Sequence, residues 1–139
     1  MASHLNPYLS FKNTAREAME FYRSVFGGEL TISTFGEGGM AQDPAEKDNV
    51  MHAQLVAPNG FWLMGSDTPD RMEFKPGTTM TVSLSGDDEA ALRGYWDKLS
   101  EGGKIGMPLE KAPWGDSFGQ LTDRFGTPWM VNIAGRPQA

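Results

Sequence analysis

The sequence has no cysteine and only two histidines, His4 and His52. The first absence excludes a disulfide framework, a thiolate zinc site and a cysteine nucleophile. A chain without thiols sits comfortably in a reducing cytosol, so a cytoplasmic protein is expected. Long apolar runs are also missing. No stretch approaches the ~18 residues a membrane helix requires. The opening segment, Met1 to Pro7, has neither an apolar core nor a basic flank and does not read as a signal peptide. Basic blocks are absent too. Twelve Lys and Arg face eighteen Asp and Glu, for a net charge of −6, which argues against nucleic acid and anionic membranes as partners. What remains is 139 residues, 39% hydrophobic and 22% charged. That is one globular domain able to bury roughly two-thirds of its unfolded surface. A small-molecule-directed protein is the expectation.

The elements come in a repeated order. Tyr8-Leu9-Ser10-Phe11 alternates as a half-buried strand does. Thr14-Ala15-Arg16-Glu17 has the form of a capping box, in which the threonine hydroxyl would take the Glu17 amide. Ala15, Ala18, Met19, Tyr22, Val25 and Phe26 follow at helical spacing, and Gly27-Gly28 ends the helix. Strands are expected at 30–35, 50–56 and 61–64, the last two joined by a Pro58-Asn59-Gly60 turn. Between the first two of these, residues 36–48 form a loop rich in Gly, Pro and Asp. Residues 66–77 read as a linker. Then the order starts again. A strand is expected over 79–85, followed by a helix. That helix begins at Asp87-Asp88-Glu89, carries Leu92, Tyr95, Trp96 and Leu99, and stops at Gly102-Gly103. Further strands are expected at 104–109, 118–123 and 129–133.

The two halves register against each other. Leu9 to Leu84 is a shift of 75, and the two Gly-Gly pairs share that shift. Asn59-Gly60-Phe61-Trp62-Leu63-Met64 faces Phe125-Gly126-Thr127-Pro128-Trp129-Met130, with Trp62 to Trp129 a separation of 67. This is an internal duplication of a unit longer than a solenoid repeat. The fold class expected is α+β: two β-α-β-β-β units, about 6–66 and 77–134, in one domain over 1–139. Their strands would form a curved mixed sheet around a cavity. Clefts between repeated units favour ligands.

Several segments resemble the vicinal oxygen chelate superfamily, which includes glyoxalase I, extradiol dioxygenases and bleomycin- and fosfomycin-resistance proteins. More narrowly they resemble its PhnB-like branch. The segments are Pro7 to Phe11, Ala18 to Leu30, Met51 to Leu55, Leu63 to Asp67, Trp114 to Gly119 and Asp123 to Trp129. The resemblance covers nearly the whole chain. It implies the fold, a homodimer, and in many relatives a divalent metal held by His and Glu that activates a substrate with adjacent oxygens. By strand register the family's ligand positions fall on Asn6, Gln54, Thr81 and Met130. None is His, Asp or Glu, so no metal and no other cofactor is expected. The methyltransferase name that travels with this branch finds no glycine-rich strand-to-helix turn of the nucleotide-binding kind.

Candidate site residues follow from chemistry and strand position. His52 lies two residues before Gln54 and shares its sheet face. It is either a cavity-facing base or displaced ligand, or a satisfied polar group in a strand. Asp116, between Trp114 and Phe118, is either a desolvated acid or base with a raised pKa or the cap of a turn that Gly115 permits. Met51, Met64, Met80 and Met130, with Trp62 and Trp129, either line an adaptable apolar pocket or form core. His4 is expected to be exposed. Residues 36–40 are expected to supply a mobile flap.

Tyr8, Gln54, Trp62, Met64, Trp114, Phe118 and Trp129 are the candidate ligand-binding residues. Asp116 and His52 are the candidate catalytic ones. The leading function is binding of a small hydrophobic or aromatic molecule. The alternatives are a metal-dependent lyase, dioxygenase or transferase of the glyoxalase type, and a structural protein with a vestigial cavity.

Overall fold

The computed structural model describes residues 3–39, 41, 44–69, 72–75, 77 and 79–135. They divide into two compact units, Met1–Pro76 and Gly77–Ala139.

In the first unit the elements are β1 (Tyr8–Phe11), α1 (Ala15–Phe26), β2 (Glu29–Thr34), β3 (Val50–Val56) and β4 (Trp62–Asp67), with one 3-10 turn at Pro44–Glu46. The strands form a mixed sheet in the order β1-β4-β3-β2, with β1 and β4 parallel and the other pairs antiparallel. Alternation sorts their side chains. Phe11, Ala53, Leu55 and Leu63 are buried, and so is the α1 stripe of Ala15, Ala18, Met19, Tyr22, Val25 and Phe26. One sheet face and one helix face thus make the core. The opposite sheet face stays partly open.

In the second unit the elements are β5 (Val82–Gly86), α2 (Glu89–Ser100), β6 (Lys104–Lys111), β7 (Ser117–Thr122) and β8 (Pro128–Ile133). The sheet order is β5-β8-β7-β6, again with a parallel first pair. Leu84, Leu121, Trp129, Val131 and Ile133 are buried, with Leu92, Trp96 and Leu99 from α2. The element order matches the expected duplication, and the hydrogen-bonded ladders make two four-stranded sheets.

The pairing fixes the repeat register. Leu9 pairs with Gly65 and Leu84 pairs with Val131, so a shift of 75 in the first strand goes with 66 in the last. The turns agree. Gly60 donates to Ala57 O and Gly126 to Asp123 O, each with positive φ. Trp129 is therefore the counterpart of Leu63, on the helix side, and Trp62 is the counterpart of Pro128. The separation of 67 matched two tryptophans by identity across opposite faces. Gly28 and Gly103 are a true pair. A Cβ on Gly28 would collide with the Val56 carbonyl, and one on Gly103 with the Thr122 carbonyl. Both positions need glycine so that the first hairpin strand can start against the end of the next.

Most strand ends fall within one or two residues of expectation, and two boundaries and one cap differ further. β4 runs to Asp67, into the stretch read as linker. β5 starts at Val82, three residues later than expected. The capping box does not form: the Thr14 side chain makes no cap bond. Instead the Ala15 amide donates to Asp67 Oδ1 at 3.0 Å, and Asp67 Oδ2 accepts from the Val50 amide at 2.9 Å. A buried carboxylate at the end of β4 thus caps α1 and holds the start of β3. In the second unit α2 is capped locally, Asp88 Oδ1 accepting from the Ala91 amide.

Candidate functional site

The face of the first sheet that points away from α1 is built by alternation. Tyr8 and Ser10 stand there from β1, Trp62, Met64 and Ser66 from β4, His52 and Gln54 from β3, and Thr31 and Ser33 from β2. The register aligns Tyr8, Met64, Gln54 and Thr31 as one row across all four strands. Trp62 lies on the same face of β4, two residues or about 7 Å from Met64. Tyr8 is half exposed, and Trp62, Met64, His52 and Gln54 are partly so.

Two contacts organise this face. The Tyr8 hydroxyl lies 3.2 Å from His52 Nδ1, with the rings tilted at 5.7 Å between centroids. The proton in that bond belongs to either partner, according to the imidazole tautomer. Nε2 is then a donor in one case and an acceptor in the other, so the pair can adapt to a ligand group of either kind. Second, the His4 ring stacks on Trp62, with centroids 4.3 Å apart and planes 18° from parallel. His4 is exposed as expected, but its ring stacks on a candidate site residue. The structure thus brings together five expected residues, Tyr8, His52, Gln54, Trp62 and Met64, on one face.

The remaining expected residues lie in the second unit and do not form one cluster. Phe118 and Met130 stand on the sheet face opposite α2, where Phe118 pairs with Asn132 and Met130 with Gln120. Trp114 sits at the tip of the β6–β7 hairpin and is 67% exposed. Trp129 faces the other way. It is 1% exposed, and its Nε1 donates to Asp123 Oδ2 at 2.8 Å, so it belongs to the core and not to an open face.

Asp116 also departs from expectation. Its Oδ1 accepts from the Gly135 amide at 2.8 Å and its Oδ2 from Asn132 Nδ2 at 3.1 Å. The backbone bond to Gly135 first, and the Asn132 amide second, hold its carboxyl below the ordinary carboxylate value, while burial opposes them weakly. It is an ionised clamp joining the hairpin to the chain beyond β8, not an acid with a raised pKa. The turn itself is made by the backbone, through Gly115 N to Ala112 O and Ala112 N to Asp116 O.

Over its described part the loop after β2, expected as a mobile flap, carries several hydrogen bonds. Gly38 donates to Thr34 O, Gly36 to Lys47 O, and Glu37 Oε1 accepts from both the amide and hydroxyl of Thr34. Residues 40, 42 and 43 lie outside the described residues.

The four positions matched to metal ligands can be tested by their chemistry. Asn6 precedes β1 and its amide donates to the Pro7 carbonyl at 3.4 Å. Gln54 is on the open face of β3, Thr81 is exposed ahead of β5, and Met130 is on β8. Under the repeat register the counterpart of Met130 is Met64, and that of Gln54 is Gln120. Either choice offers neutral amides, a hydroxyl and thioethers. These donors do not fit a tightly held divalent ion, which requires anionic or imidazole ligands. Among the described residues no three His, Asp or Glu side chains gather into a metal-holding group.

Two structural carboxylates escaped the sequence reading. Asp67 stood in a Pro- and Asp-rich stretch, and its partners are 52 and 17 residues away. Asp123 accepts from the Phe125 and Thr127 amides and from Trp129. Its Asp-x-x-Gly pattern, Asp123 to Gly126, was a legible turn signal.

Comparison with known proteins places these features. The family model described as 3-demethylubiquinone-9 3-methyltransferase matches residues 3–132. Protein YjdN of Escherichia coli (strain K12) is 31% identical over 140 residues, covering 93% of this chain and 94% of YjdN. Protein PA1353 from Pseudomonas aeruginosa has a similar structure, with a TM-score of 0.82 and 38% identity over 96% of this chain and 98% of that one. The PhnB protein from Bacillus cereus follows at a TM-score of 0.73 and 29% identity, over 95% and 100%. The fold is that of the glyoxalase/bleomycin resistance/dioxygenase superfamily.

Proposed function

Because the chain belongs to the family described as 3-demethylubiquinone-9 3-methyltransferase, the PhnB-like branch of that superfamily, we propose a function from its open-face chemistry rather than from the family's name. The protein binds a small amphipathic molecule on the open face of its first sheet. The observation that carries this is the single row of Tyr8, Met64 and Gln54, with Trp62 beside it and His52 bonded to the Tyr8 hydroxyl. Such a face combines a flat aromatic surface, a deformable thioether and adaptable hydrogen-bonding groups. An apolar part of the ligand lies over Trp62 and Met64. A polar part meets Gln54 or His52 Nε2.

A metal-dependent reaction has no support from the donor set described above. A cytosolic setting and a homodimer belong to the same proposal. The absence of thiols supports the first, and the resemblance to dimeric relatives supports the second.

The experiment is a titration of purified protein with a panel of aromatic carboxylates and phenols, read by tryptophan fluorescence and by thermal shift. Binding is expected for some members. Trp62→Ala should weaken it by about 1–3 kcal/mol, the usual loss for removing an aromatic anchor. A panel that produces no response at millimolar concentration, or binding indifferent to Trp62→Ala, contradicts the proposal.

A further inference from the structure

The His4 stack suggests what the Trp62 surface is for. Ser3 and Leu5, on either side of His4, stand in solvent, Leu5 completely so. Among the described residues, the contact that places the His4 ring is its stack on Trp62, at 4.3 Å and 18°. A planar, weakly polar ring therefore rests on the open face, over a residue that the fold leaves partly exposed. The first firm attachment after it is at Pro7, whose carbonyl accepts from the Met64 amide at 3.2 Å. The chain between Ser3 and Pro7 can thus lift from Trp62 without disturbing the sheet.

We propose that the Trp62 face is a subsite for a planar aromatic ring and that His4 is its internal occupant, displaced when the ligand binds. This rests on the binding function proposed above and adds the ligand's chemical class. The ligand carries a flat ring of at least imidazole size. A hydrogen-bonding substituent about 7 Å away along β4 reaches the level of Met64, Gln54 and Tyr8. A ligand stacked on Trp62 must first remove His4, so the apparent affinity is lowered by the fraction of molecules in which the ring is in place. An exposed aromatic stack of this kind is modest, so removing it should raise affinity roughly 2- to 10-fold.

The probe is 8-anilino-1-naphthalenesulfonate, titrated into full-length wild type, His4→Ala, Trp62→Ala and the double variant. Binding is read by dye emission and by energy transfer from tryptophan, and circular dichroism verifies that each variant is folded. The expected result is tighter binding to His4→Ala than to wild type, with no effect of His4→Ala once Trp62 is also alanine. If wild type binds the dye and Trp62→Ala weakens it, but His4→Ala leaves affinity unchanged or lowers it, the displacement proposal is overturned while the binding function stands. If neither wild type nor His4→Ala binds the dye or any member of the aromatic panel, both are overturned.

Discussion

Replacing Asp67 by alanine should be among the most damaging single changes in the first unit. Its side chain is 4% exposed and accepts two backbone amides, Ala15 N at 3.0 Å and Val50 N at 2.9 Å. Bonds from a neutral donor to a charged acceptor contribute about 1.5–3 kcal/mol each. Removing the carboxylate takes both and leaves two amides facing a small void. The expected loss is about 3–5 kcal/mol, a large part of a typical domain's 5–15 kcal/mol. Asp67→Asn keeps one accepting oxygen and should cost about 1–3 kcal/mol. The informative control is Thr14→Ala. A working capping box would make that change cost about 1 kcal/mol. The structure gives Thr14 no cap bond, so the cost should stay within about 0.5 kcal/mol. Urea unfolding of the three variants, followed by circular dichroism with the slope held common, measures all of this. A Thr14→Ala loss larger than that of Asp67→Ala would refute the reasoning and restore the local cap.

Trp129→Phe removes the indole donor to Asp123 and should destabilise the protein by about 1.5–3 kcal/mol in urea unfolding. Ligand affinity in the folded variant should not change. Asp116→Asn should lower the melting temperature at neutral pH without abolishing folding. The folded carboxyl is depressed, so its stabilisation is present above the unfolded value of about 4 and is lost as the pH falls through the lower folded value. The wild-type and Asp116→Asn melting temperatures should therefore converge on acidification below pH ~4. A difference that grows in acid contradicts the clamp.

Much of the fold was legible because local signals and periodicity agreed. α1 and α2 end near Gly-Gly pairs and carry apolar stripes. Apolar alternation places β3 at Val50–Val56, the bounds it has. What was not legible depends on contacts between distant segments. Asp67 looks like linker because its neighbours are Ser, Thr and Pro. Only its pairing opposite Phe11 in β1 shows that it ends a core strand. The capping box failed for the same reason, since a buried carboxylate from β4 reached the helix start first.

For the candidate site, the strand positions were legible and the sheet faces less so. Tyr8, His52, Gln54, Trp62 and Met64 share one open face, as their spacing within each strand allows. Trp129 was matched to Trp62 by identity. A register error of one residue turns a side chain to the other side of a sheet. His4 had no periodic signal to place it, because its position depends on a ring in another strand.

The most direct test of the central claim is two-dimensional NMR of the four tryptophan indoles, assigned by single Trp→Phe variants, during titration with naphthalenesulfonate. The Trp62 indole is expected to shift, together with the His52 ring, while Trp96 and Trp129 in the core stay fixed. Shifts at Trp96 or Trp129 without Trp62, or no shift at millimolar ligand, would contradict the claim that the open face of the first sheet binds an aromatic small molecule.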